Sequence, residues 1–198
     1  MAVTVRRELL GEMYRYRLAM HRQEQRVADA QALLEAQREA IDEAVWEALV
    51  APEWTKESFV KQHEALQLTE IPEVWTLKSE VQFMLTASRG VYLMSRAVAE
   101  AAPSEAAAVI SDAVREFEAA QPGAGLLRNI HEHLDEYIQG KGHESLERPV
   151  VEGGIGLLDD GVVYFIGGRL FLLWELMEAT EVLAARVAEI TRHLDDDE

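Results

Sequence analysis

Residues 13–48 read MYRYRLAMHRQEQRVADAQALLEAQREAIDEAVWEA, and their spacing sets the architecture. Met13, Met20, Val27, Leu34, Ile41 and Ala48 recur every seven residues. That interval keeps one seam of a helix turned toward a partner. The companion positions three residues later are weaker: Tyr16, Gln23, Ala30, Gln37 and Ala44. The first fifty residues hold no proline and one glycine, Gly11. The pattern predicts a helix from Thr4 to Leu49 with a narrow apolar seam. At 1.5 Å per residue it would extend about 70 Å. A helix that long either bends, for instance at Gly11, or pairs with another, and a second copy of the chain is the simplest partner.

Working outward, Ala51-Pro52 ends this helix, because proline disfavours helical geometry in the residue before it. Thr55 to Leu66 reads as a short helix anchored by Phe59, Val60 and Leu66. Pro72 opens a third, to Ala101, where a missing N–H costs nothing. Its broad face is Leu77, Val81, Met84, Leu85, Val91, Met94 and Val98. Pro103 and Ser104 open a fourth, to Ala120, through Val109, Ile110, Val114 and Phe117. Gln121-Pro122-Gly123-Ala124-Gly125 is a break, followed by a fifth helix from Leu126 to Gln139. Beyond Pro149 the pattern turns to short β-rich runs, Val150-Val151, Ile155–Leu158 and Val162–Ile166, with a turn at Asp159-Asp160-Gly161. A final helix is expected over 169–194. The expected fold is a mainly α helical bundle, one domain over residues 1–198, with a β-hairpin insertion at 150–168. Residues 1–50 form its projecting or dimer-forming helix.

Composition narrows function. The chain carries 19 Lys+Arg against 36 Asp+Glu, a net charge of −17. Such a field repels nucleic acid in general, so no DNA partner is expected and any RNA contact is local. Residues 1–26, with six arginines and three glutamates, are the basic exception. Arg15, Arg22 and Arg26 fall near one helix face there. With no cysteine, disulfides, thiol nucleophiles and zinc–thiolate sites are excluded. The densest apolar stretch, Gly161 to Trp174, is short of the ~20 residues of a membrane span and contains Arg169. Arg6 and Arg7 are followed by no apolar run of a signal peptide. The expectation is a soluble, cytoplasmic protein without a membrane partner.

One stretch carries candidate chemistry. On the fifth helix, Leu127, Ile130, Leu134, Tyr137 and Ile138 form the core stripe. Arg128 falls on one flank, and Asn129 with His133 on the other. Arg128 and His133 stand roughly 140° apart at 100° per residue, so two copies across a two-fold axis are needed to bring them to one target. His131 and His133 point apart and cannot share an ion. Neither His21 nor His63 has a spacing that supplies a metal site with them, so no metal and no cofactor is expected. Gly153-Gly154-Ile155-Gly156 lacks the helix and lysine of a phosphate loop. Gly123-Ala124-Gly125 opens a helix, so its N–H groups could hold an anion near Arg128, although helix-opening glycines usually serve only a tight entry.

Arg128, Asn129 and His133 match RNxxxH, and in this the chain resembles the HEPN superfamily, all-α domains that often dimerise and include metal-independent ribonucleases. The resemblance implies that His133 acts as general base or acid on an RNA 2′-hydroxyl and leaving oxygen, as suits an imidazole near working pH. It implies that Arg128 binds the scissile phosphate, that Asn129 orients His133, and that the products are a cyclic phosphate and a 5′-hydroxyl. The same residues also read as ordinary helix surface, with Arg128 beside Glu132 and Asp135. Glu132, Asp135 and Glu136 crowd the motif with negative charge. The alternative is therefore a non-catalytic protein whose helices serve dimerisation or regulatory interaction.

Overall fold

The heptad seam of the first helix is met by a matching repeat on the third. In the computed structural model, which describes residues 2–37, 72–121, 154–158, 161–166 and 169–196, α1 spans Ala2–Ala36 and α2 Pro72–Ala101. Met13 and Met20 are buried, and each sulfur faces a serine of α2: Ser88 Oγ donates to Met20 Sδ at 3.2 Å and Ser95 Oγ to Met13 Sδ at 3.5 Å. Both pairs repeat every seven residues, in opposite directions, so the two helices run antiparallel along one seam. The small serines leave room for the flexible methionines. This corrects the simplest expectation for the seam: at Met13 and Met20 it is covered by the chain's own helix and offers no surface to a second copy. α1 runs unbroken through Gly11, which is exposed.

α3 spans Ser104–Ala120 and buries Ala106, Ile110, Ala113, Val114 and Phe117. That stripe at three- and four-residue spacing is a narrow core face. Val109, expected to join it, is exposed. The helix opens on Pro103, whose carbonyl accepts from Ala107 N–H at 2.8 Å, and closes with Gln121 N–H donating to Phe117 O at 2.8 Å.

β1 (Gly154–Leu158), β2 (Gly161–Ile166) and β3 (Arg169–Leu172) form an antiparallel meander in the order β1-β2-β3. Leu158 pairs with Gly161 at the turn, and Gly161 has φ +147°, a conformation open to glycine and strained for other residues. The third strand was not expected: 169–172 reads as helix by sequence but pairs with β2, Phe171 opposite Tyr164 and Leu172 opposite Val163. Val162, Val163 and Tyr164 are all buried. Since successive side chains point to opposite faces, both faces of β2 are covered. The hairpin is thus a three-stranded sheet, and the last helix, α4, begins at Leu173 and runs to Asp196. Its buried line is Leu173, Leu176, Thr180, Leu183, Val187 and Thr191.

The sequence reads as one helical domain, and packing divides it into two compact units that share helices. Unit 1 takes α1 up to Arg22, α2 from Phe83, α3, and α4 from Glu175. Unit 2 takes α1 from Gln23, α2 up to Gln82, the sheet, and the chain to Trp174. In unit 2, Gln37 Nε2 donates to Glu73 Oε1 at 2.7 Å, continuing the antiparallel pairing of the first two helices there. Most of the core is aliphatic, and each fully buried Leu, Val or Met contributes about 1.5–3 kcal/mol. Three of its hydroxyls also reach a carbonyl of their own helix. Ser95 donates to Val91 O at 2.8 Å, Thr180 to Leu176 O at 2.6 Å and Thr191 to Val187 O at 2.8 Å. The mainly α fold with a small sheet before the C-terminal helix stands as expected. The short helix at 55–66, the fifth helix at 126–139 and the run Val150-Val151 lie outside the described residues.

Candidate functional site

In unit 1, α1 and α4 run antiparallel and share an ionic knot. Arg17 Nε donates to Glu181 Oε2 at 2.7 Å, and its Nη2 stands 2.6 Å from the same oxygen. The Nε2 of His21, one turn along α1, lies 3.0 Å from Glu181 Oε1. The glutamate is the most protected of the three, so it is the point on which two α1 side chains converge. Helical geometry explains the set: residues four apart share a face, and 17 and 21 both look toward α4.

From this knot toward the N-terminus of α1 runs a groove of about 240 Å³. Leu10, Met13, Tyr14 and Arg17 line it from α1, and Ala184, Ala188, Thr191 and Arg192 from α4. The two alanines, one turn apart, keep its floor low. Tyr14 (55 % exposed), Leu18 (38 %) and Val182 (54 %) add apolar surface to the same two helices. Arg192 has no ion-pair partner among the described residues. The lining is therefore apolar with a guanidinium at either end, one paired to Glu181 and one without an ion pair among the described residues. It can hold an apolar or amphipathic body.

A second polar cluster in unit 1 lies between α2 and α3. Tyr92 is buried, stacks on Phe117 with ring centroids 5.6 Å apart, and donates from Oη to Glu118 Oε1 at 2.5 Å. Arg96 Nη1 donates to Tyr92 Oη at 3.4 Å. Burial, then the bond to Glu118, pushes the phenol above its usual range. The stacked ring and its bond to Glu118 tie α2 to α3. In unit 2, Tyr164 is likewise raised by burial, and Lys78, whose ammonium sits 5.1 Å from the Trp75 ring centroid, is lowered by burial.

The residues singled out by sequence divide sharply. Arg128, Asn129 and His133 lie outside the described residues, as do His131, His63 and the Gly123–Gly125 turn. His21 is engaged with Glu181. Of the basic face, Arg15 pairs with Glu12 and Arg26 stands 3.9 Å from Glu80 within unit 2. Among the described residues no three His, Asp or Glu side chains cluster to hold a metal, and no helix is long and apolar enough to cross a membrane. The groove went unnoticed in the sequence, although its signal was there: Leu10, Tyr14 and Leu18 follow at four-residue spacing, a second apolar line beside the methionine seam. Similarity names no relative. No family model, no curated protein and no solved structure matches the chain.

Proposed function

We propose that this chain is a non-catalytic helical interaction protein that works as a homodimer in the cytoplasm. The observation that carries the reading is the groove between α1 and α4, an apolar surface between two guanidinium groups on helices whose other faces already pack within the chain. Exposed apolar surface that is ordered and rimmed by charge marks association. The net charge of −17 favours a protein partner over a polyanion. Sedimentation equilibrium is expected to give a dimer. RNA incubated with the protein in a chelator is expected to stay intact.

A second reading rests on one observation, the Arg128-Asn129-His133 motif. In it the chain is a HEPN-like, metal-independent ribonuclease, of defence or toxin type, with the roles the resemblance implies for those three side chains. Chelator-resistant RNA cleavage lost in both Arg128→Ala and His133→Ala would replace the first reading with this one.

A further inference from the structure

Resting on the interaction reading, we infer that the occupant of the α1–α4 face is the same face of a second copy, arranged so that α1 of each protomer lies antiparallel along α4 of the other. Charge selects both the partner and the arrangement. Beside the groove α1 presents Arg17 and Arg22, whereas α4 presents Glu178 and Glu181, with Arg192 at the far end. The face is thus basic on one helix and acidic on the other. A two-fold axis parallel to the helices lays each basic helix on an acidic one. An axis perpendicular to them would lay arginines on arginines, which costs association energy. A surface with this built-in antisymmetry complements itself.

Three details follow from the antiparallel register fixed by Arg17 and Glu181. The apolar residues Tyr14 and Leu18 of one copy meet the low, alanine-lined side of the other, where Ala185 is exposed and Ala184 and Ala188 line the groove. Small residues let a second helix approach closely and let larger side chains seat between them. Arg22 and Glu178, both exposed and without an ion pair among the described residues, come near each other across the interface. The Met13–Met20 seam stays with α2 and takes no part.

The absence of cysteine in the chain makes the register directly testable in the full-length protein. Single-cysteine variants Tyr14→Cys and Ala185→Cys, which the register sets at one height, mixed and oxidised, are expected to give the mixed disulfide dimer well above either self-linked species. Ala185→Glu is expected to weaken dimerisation at least ten-fold by sedimentation equilibrium with an unchanged helical circular dichroism spectrum. Arg22→Glu is expected to weaken it several-fold, and the swapped pair Arg22→Glu/Glu178→Arg to recover most of the loss. A wild-type dimer that Ala185→Glu leaves intact, or whose mixed cysteine pair does not link, overturns this face and leaves the interaction reading standing. A wild-type monomer at tens of micromolar overturns both.

Discussion

The ring of Tyr16 occupies the space that a side chain at residue 90 would need: a Cβ built on Gly90 would lie 2.2 Å from Tyr16 Cδ1. The glycine is buried in the middle of α2, where it costs helix stability of roughly 1 kcal/mol relative to alanine. The contact therefore outweighs propensity at this site. Gly90→Ala is expected to destabilise the protein by about 1–3 kcal/mol through overpacking, read by urea denaturation. Tyr16→Ala in the Gly90→Ala background should remove the clash, so the two losses will not add. A stabilised Gly90→Ala protein would show that the ring does not sit in this notch.

Neighbouring leucines separate the two sides of α1. Leu34 is 1 % exposed and Leu33 53 %. Leu34→Ala should cost about 2–5 kcal/mol as transfer and cavity terms combine. Leu33→Ala should stay within about 0.5 kcal/mol. Equal losses in thermal or urea unfolding would mean the heptad seam does not face the core of unit 2.

The buried phenols make stability depend on alkaline pH. Tyr92 and Tyr164 titrate above the ordinary tyrosine value of 10.0, in both cases first because burial disfavours the phenolate. Each is thus held protonated by the folded state. Their contribution is fully present below the unfolded value and is lost as pH rises from there through the folded value, because only the unfolded chain releases its protons at first. Stability by urea denaturation should fall from pH 10 upward and fall less in Tyr92→Phe/Tyr164→Phe. Absorbance at 295 nm should show phenol ionisation above the ordinary tyrosine value that is lost in Tyr92→Phe/Tyr164→Phe.

The Arg17–Glu181 pair should be energetically modest. Its side chains are 38 % and 24 % exposed, and solvent screens such pairs to about 0.2–1 kcal/mol. A double-mutant cycle with Arg17→Met and Glu181→Gln should return a coupling in that range, shrinking at 1 M salt. A coupling several times larger would mean that the knot is drier than its exposure indicates.

Sequence periodicity gave the helices well, because buried methionines, leucines and valines at three- and four-residue spacing leave few alternatives. Met13, Met20, Leu77, Val81 and Leu183 all lie inside as their spacing demands. It failed where burial and local pattern part company. Residues 170–172 are apolar like the helix after them, so nothing in Arg169-Leu170-Phe171-Leu172 distinguishes a strand paired to β2 from a first helical turn. The partner of the methionine seam was equally hidden, since Ser88, Gly90 and Ser95 carry no hydrophobic signal and serve by being small. The groove combines two helices far apart in the chain, and only their pairing brings Tyr14 toward Ala188. The RNxxxH residues rest on sequence alone.

Thr180 and Thr191 each spend their hydroxyl on a carbonyl of their own helix. Such bonds do not dictate which neighbour a helix must choose or at what height it must sit. Steric fit is left to act as the address label, and the notch at Gly90 is its most legible character. Enlarging small residues should therefore scramble partnering, while exchanging threonine for valine at positions 180 and 191 should leave the arrangement of the helices unaltered.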